Sequence, residues 1–151
     1  VTTAEGAGIF LSGGRGADRY SLTLAEGSRT TLNFGFTFNE GSTQGLVFNG
    51  ATGVIANDGF GFSETLTLTR IGDVNDSELQ IRGTRFADRI TGTAGRDIIR
   101  SDGGNDTLDG GAGIDRIRYD RPQFTSGVTV DLAAGTATGI AGAAFTHSLV
   151  R

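Results

Sequence analysis

Residues 83–118 read GTRFADRIT GTAGRDIIR SDGGNDTLD GGAGIDRIR, four nine-residue units laid end to end (83–91, 92–100, 101–109 and 110–118). The sixth position is always Asp: Asp88, Asp97, Asp106 and Asp115. The eighth is always a large aliphatic: Ile90, Ile99, Leu108 and Ile117. The fourth is Gly in the last three units, as Gly95, Gly104 and Gly113. Asp and Gly make turns in any protein. Strict spacing together with the aliphatic comb asks for more: a solenoid whose turns carry carboxylates while its strands stack into a core.

Working outward, a fifth unit lies near the start, GGRGADRYS (13–21), with Asp18 at position six and Tyr20 at position eight. From Tyr20 to about Arg70 the period changes from nine to two. Tyr20, Leu22 and Leu24 alternate with polar residues, as do Leu32, Phe34, Phe36 and Phe38, and then Leu66 and Leu68. That is the pattern of half-buried antiparallel strands. Turn signals divide them at Glu26-Gly27-Ser28, Glu40-Gly41-Ser42, Asn49-Gly50 and Asn57-Asp58-Gly59, with Asn49-Gly50 predicting a tight hairpin. After the repeats, GVTVDLAAGTATG (127–139) predicts a second hairpin turning at Ala133-Ala134-Gly135, placed to cap the stack. No segment has helical periodicity. The expected organisation is a first repeat coil (1–21), an antiparallel strand-rich insertion (22–82), the repeats (83–118) and a capping hairpin (119–151).

Composition narrows the chemistry. The 151 residues include 26 Gly, one Pro, no Cys, Met or Trp, and 13 cationic side chains that are all Arg, for a net charge of −4. Lack of cysteine removes disulfides, thiolate zinc sites and cysteine nucleophiles. A lone histidine, His147, excludes a histidine-built zinc site within these residues. Ser42 and Ser63 lack the Gly-x-Ser-x-Gly elbow, so catalysis is not expected here. Arg82, Arg85, Arg89, Arg96 and Arg100 form a basic series, but interleaved aspartates cancel it and nucleic acid is not expected as a partner. No apolar run reaches the roughly 18–20 residues of a membrane span. A first residue other than Met and an open apolar pattern at the end (Phe145, Leu149, Val150) suggest a piece of a longer polypeptide.

Within each unit, six residues form a turn and three a strand. Glycines allow positive φ and let carbonyl oxygens point inward. Calcium takes about six to eight oxygens at roughly 2.3–2.6 Å, so carbonyls and carboxylates of two stacked turns can complete its shell. Without an ion, stacking places like charges together and destabilises the compact state. With one, binding free energy becomes folding free energy.

These units resemble the repeats-in-toxin (RTX) nonapeptide of hemolysin-type proteins, Gly-Gly-x-Gly-x-Asp-x-U-x with U large and apolar. The tail 127–139 is similar to the hairpin that follows such repeats. The resemblance implies a parallel β-roll with two units per coil and an ion between units i and i+2. It implies one site from Thr84, Phe86 and Asp88 with Ser101, Gly103 and Asp106. A second would use Thr93, Gly95 and Asp97 with Gly110, Ala112 and Asp115. Thr84, Phe86 and Thr93 depart from the glycine pattern, which points to a weaker first site. Asp18 is a further expected ligand; its site requires the chain to return beside it, with 83–88 or 92–97 as the partner loop. Asp102, Asp109 and Asp120 fall off the ligand position, and Asp73 and Asp76 read as turn residues.

The reading is an all-β chain: a short calcium β-roll with an antiparallel sheet or sandwich insertion and a capping hairpin. Its expected function is structural Ca²⁺ binding in a secreted, extracellular or cell-surface bacterial protein, exported by a type I system and folding on external calcium. An adhesin-like module binding glycan or cell envelope, with Phe34, Phe36 and Phe38 lining a groove, is the competing class. An accessory domain of a secreted hydrolase is the third.

Overall fold

In the computed structural model, residues 8–12, 15–34, 41–100, 102–119, 128–131, 135–139 and 145–150 are described, and among them there is no helix. The strands in chain order are β1 (Gly8–Leu11), β2 (Arg19–Leu24), β3 (Arg29–Asn33), β4 (Leu46–Asn49), β5 (Val54–Asp58), β6 (Glu64–Arg70), β7 (Glu78–Arg82) and β8 (Arg89–Thr91). They continue with β9 (Asp97–Arg100), β10 (Thr107–Asp109), β11 (Arg116–Arg118), β12 (Val128–Asp131), β13 (Thr136–Gly139) and β14 (Phe145–Val150). No described helix is long and apolar enough to cross a membrane.

The strands form two sheets, ordered β1-β3-β7-β9-β11 and β12-β13-β14-β10-β8-β4-β5-β6-β2. From β7 to β11 the chain alternates between them, so β7, β9 and β11 are neighbours in one sheet and β8 and β10 in the other. Every pairing in the five-stranded sheet is parallel.

The eighth positions of the units explain this arrangement. A three-residue strand cannot stand alone, so each leans its aliphatic side chain on the next coil. Ile81, Ile99 and Ile117 are in register in one sheet, and Phe48, Ile90 and Leu108 in the other. Ile81, Ile90, Ile99 and Leu108 are fully buried, each worth about 1.5–3 kcal/mol of transfer free energy. The row runs beyond the repeats, through Leu32 of β3 to Leu11 of β1.

The stretch 22–82, expected as an antiparallel unit, divides between both sheets. β4, β5 and β6 form an antiparallel meander. β3 and β7 pair in parallel with each other and with β1 and β9, and β6 pairs in parallel with β2. A two-residue alternation is common to both kinds of pairing, so the pattern does not name the partner. The Asn49-Gly50 hairpin joins β4 to β5 through residues 50–53, longer than a two-residue turn, with Asn49 Oδ1 accepting from Thr52 N–H at 3.2 Å. Phe34 is buried and packs on Phe48 at 6.3 Å between ring centroids. β12 and β13 form the expected hairpin, and β14 ties it in parallel to β10. Gly13, Phe36, Phe38, Leu132, Ala133, Ala134 and Asp120 lie outside the described residues.

Candidate metal centre

Because β8 and β10 are neighbours, the turns 83–88 and 102–106 that lead into them are stacked. Asp106 Oδ1 accepts from Asp88 N–H at 2.9 Å, and Thr107 N–H donates to the Asp88 carbonyl at 2.8 Å. β9 and β11 stack the turns 92–97 and 110–115 in the same way: Asp115 Oδ1 accepts from Asp97 N–H at 3.0 Å, and Ala112 N–H donates to the Thr93 carbonyl at 3.2 Å. The structure therefore brings together both aspartate pairs expected to share an ion, Asp88 with Asp106 and Asp97 with Asp115. Ser101 lies outside the described residues.

Backbone oxygens approach the same gap. A Cβ placed on Gly111 would lie 2.5 Å from the Thr93 carbonyl oxygen, and one on Gly113 would lie 2.8 Å from that of Gly95. Both glycines have positive φ, 83° and 114°. Only glycine takes that backbone and leaves those carbonyls room. From below, the Gly110 carbonyl oxygen would lie 2.1 Å from a Cβ on Gly92. In the first pair of turns, a Cβ on Gly104 would meet the Phe86 carbonyl oxygen at 2.5 Å, so Phe86 keeps its oxygen toward the lower turn although it is not glycine.

The threonines that replace glycine in the upper turns have work of their own. Thr84 N–H donates to Asp88 Oδ2 at 2.8 Å, its hydroxyl donates to Asp88 Oδ1 at 2.6 Å, and it accepts from Phe86 N–H at 3.0 Å. Thr93 repeats this: its N–H and hydroxyl donate to Asp97 and it accepts from Gly95 N–H at 3.3 Å. The coils above offer no carboxylate at the same ladder step. Leu46 stands beside Asp88 and Leu79 beside Asp97. Leu46 N–H donates to Asp88 Oδ1 at 2.7 Å.

Beside Asp97 stands a residue that sequence reading missed. The Arg70 guanidinium donates to the Ser77 carbonyl at 2.6 Å, Ser77 Oγ at 2.9 Å, Thr93 Oγ1 at 3.0 Å and Asp97 Oδ1 at 3.4 Å. Burial lowers its pKa, while Asp97 and Asp115 raise it; a guanidinium stays charged there. Arg70 is therefore a built-in cation beside Asp97, close enough for Asp115 to feel its charge as well. Nothing in its local sequence, LTLTRIGD (66–73), marks this role; only the fold carries it across to Asp97.

The carboxylates are deeply enclosed: Asp97 is 0% exposed, Asp106 2% and Asp88 3%, with Asp115 half-buried. Desolvation pushes Asp88 up to about 7, against hydrogen bonds from Thr84 and Leu46 and with added repulsion from Asp106. Desolvation likewise pushes Asp97 up to about 6, with hydrogen bonds from Thr93 and the charge of Arg70 opposing it. Asp115 is raised by burial. A cavity of about 150 Å³ beside this second pair is lined by Asp97, Asp115 and Glu78 among others.

The donor set fits calcium. Each carboxylate has roughly four lone-pair directions, and the hydrogen bonds above leave capacity on both pairs. All the donors that converge are hard oxygens, as a calcium shell requires. Among the described residues no three His, Cys, Asp or Glu side chains gather on one ion, so carbonyls must complete each shell, as the glycine geometry allows. Off-pattern acids are engaged elsewhere: Asp102 with Arg82 Nε at 3.1 Å, Asp109 with Gly111 N–H at 2.9 Å and Asp73 with Asn75 N–H at 2.8 Å. Asp18 departs from expectation. Neither 83–88 nor 92–97 is its neighbour; β6 is, with Arg19 opposite Thr65, because the meander returns the chain to β2 before the repeats begin.

No curated protein matches the chain. Residues 82–117, about a quarter of the chain, match the family model for the RTX calcium-binding nonapeptide repeat in four copies. The match falls within one residue of the frame set by the four aspartates, on the stretch where they meet in pairs. Calcium is the ion such repeats bind, and residues 82–117 are similar to that calcium-binding repeat over all four units.

Proposed function

We propose that residues 83–118 form a short β-roll holding two structural calcium ions. One would lie between the Asp88 and Asp106 turns, with carbonyls of Thr84, Phe86, Ser101 and Gly103. The other would lie between the Asp97 and Asp115 turns, with carbonyls of Thr93, Gly95, Gly110 and Ala112. The observation that supports this most is the stacking of carboxylates at matched ladder steps, Asp106 on the Asp88 N–H and Asp115 on the Asp97 N–H. A calcium ion there supplies positive charge to buried like-charged groups, so binding couples to folding. Calcium-dependent folding suits an extracellular setting, because such sites bind at about 10⁻⁴–10⁻³ M, far above cytosolic calcium. We therefore read the chain as part of a longer secreted bacterial protein of the type I export class, with a structural rather than catalytic role. An adhesin-like surface is the second reading; burial of Phe34 does not favour a groove there.

Calcium titration followed by circular dichroism and calorimetry tests the proposal. Strand signal and thermal stability should rise with millimolar calcium and fall with chelator. Asp115→Asn should weaken binding by about tenfold or more, whereas Asp102→Asn, off the ligand position and paired with Arg82, should leave it nearly unchanged. Equal effects of the two changes, or indifference to calcium, would overturn it.

A further inference from the structure

Asp18 is isolated in sequence, yet the fold gives it an acidic neighbour. β2 and β6 pair with Arg19 opposite Thr65, which sets Asp18 and Glu64 at the preceding step. Thr65 N–H donates to the Asp18 carbonyl at 3.3 Å. The same bond recurs in the repeats, where Thr107 N–H donates to the Asp88 carbonyl and Asp106 stands beside Asp88. Glu64 thus occupies, relative to Asp18, the place that Asp106 occupies relative to Asp88. Nothing around Glu64 follows the nine-residue pattern: it opens a strand of alternating Leu and Thr.

Three enclosed carboxylate oxygens lie in this neighbourhood. Asp58 is 2% exposed and Glu64 3%. Asp18 Oδ2, Asp58 Oδ2 and Glu64 Oε2 are each buried without a hydrogen-bond partner. The other oxygen of Asp58 accepts from Phe60 N–H at 2.8 Å and Phe62 N–H at 2.9 Å, which holds that carboxylate in place. Glu64 feels the charges of both Asp58 and Asp18, and hydrogen-bonds with the Tyr20 hydroxyl and with Asp18. Leaving buried carboxylate oxygens unpaired is costly. A single proton shared by Asp18 and Glu64 would leave the Asp58 charge unanswered, whereas a cation held by Asp18 and Glu64 also offsets Asp58, whose charge reaches Glu64. The donors are oxygens only, which selects a hard divalent ion.

We propose that Asp18 and Glu64 hold a divalent cation of the calcium class, with Asp58 lending its charge beside them, at a site outside the four contiguous repeats. The three side chains do not close a cage alone, so backbone oxygens and water complete the shell, as in the repeats.

The two tyrosines provide separate reporters. Tyr20 hydrogen-bonds with Glu64, and Tyr119 feels the charge of Asp106. Terbium, a luminescent calcium substitute, is added to the full chain and excited through tyrosine. In Tyr119→Phe protein, Tyr20 should sensitise saturable emission that excess calcium displaces. Adding Glu64→Gln should weaken that binding by about tenfold or more, because one charged ligand is lost. Tyr20→Phe protein should keep its Tyr119 signal from the repeats, so failure there would count against the repeat sites and not against this one. Should Glu64→Gln disturb the circular dichroism spectrum, Asp18→Asn decides in its place. Absence of Tyr20-sensitised emission at terbium levels that saturate the Tyr119 signal overturns the proposal, and so does emission that ignores both substitutions.

Discussion

Raising the pH from 5 to 8 in the presence of chelator should destabilise this protein, the reverse of ordinary acid denaturation. Asp88 and Asp97 are enclosed, and their pKa values in the fold stand at about 7 and about 6 against an ordinary 3.8. A folded carboxyl with a raised value keeps a proton that the unfolded chain has released, so stability falls as pH climbs from about 4 through the folded values. At 1.36 kcal/mol for each tenfold change in proton affinity, the interval from pH 5 to 8 removes about 3 kcal/mol through Asp88 and about 1 kcal/mol through Asp97. Their joint effect of about 4 kcal/mol is a large part of the 5–15 kcal/mol that holds a typical domain folded. Urea unfolding followed by circular dichroism at pH 5, 6, 7 and 8 reads it directly. Asp88→Asn should remove the larger share of the slope, and millimolar calcium should flatten it by neutralising the paired charges. Chelated protein whose stability is flat or rises from pH 5 to 8 would refute the reasoning, because the carboxylates could not then be buried and stacked.

Three further outcomes are expected. Arg70→Met, which leaves Asp97 buried without its resident cation, should cost about 3 kcal/mol at pH 7.5; the loss should shrink at pH 5, where Asp97 takes a proton, and thermal melts at both values check it. Thr84→Val removes the 2.6 Å hydroxyl bond to Asp88 and the acceptor for Phe86 N–H, and should lower stability by about 1–3 kcal/mol in urea titrations. Gly111→Ala meets the Thr93 carbonyl at 2.5 Å with φ of 83°, whereas Gly16→Ala has φ of 126° and nothing within 4 Å. The first should cost more than about 2 kcal/mol and impair calcium binding, and the second only the backbone strain of about 1–2 kcal/mol.

The chemistry of the repeats was legible because each requirement fell on a residue type at a fixed spacing. An ion between stacked turns needs oxygen at position six and room at positions two and four. A strand too short to stand alone needs an aliphatic at position eight. Asp88, Asp97, Asp106 and Asp115 meet in the pairs, eighteen residues apart, that the resemblance to RTX repeats implied. The hairpin at Asn49-Gly50 was readable from its turn signal, though not its length, and the burial of Leu22, Leu24, Leu32 and Leu66 from alternation.

Other features depended on which strands became neighbours. The aliphatic row extends into β3 and β7 through Leu32 and Ile81, where the Asp and Gly signature is gone. Packing a core row needs only an apolar side chain, so the row outlasts the pattern that announces it. The two-residue period over 22–82 could not separate the parallel partners of β3, β6 and β7 from the antiparallel meander of β4 to β6. For the same reason Arg70 against Asp97, and Glu64 against Asp18, were invisible in the chain, being 27 and 46 positions apart. Spacing along the chain by itself determined the ion, the period and the acidic residues of the repeats, since those are local demands of one turn and its copy. Tertiary structure alone decided where the row of coils begins and which distant charges close it, because electrostatic partnership in a buried site follows distance through space.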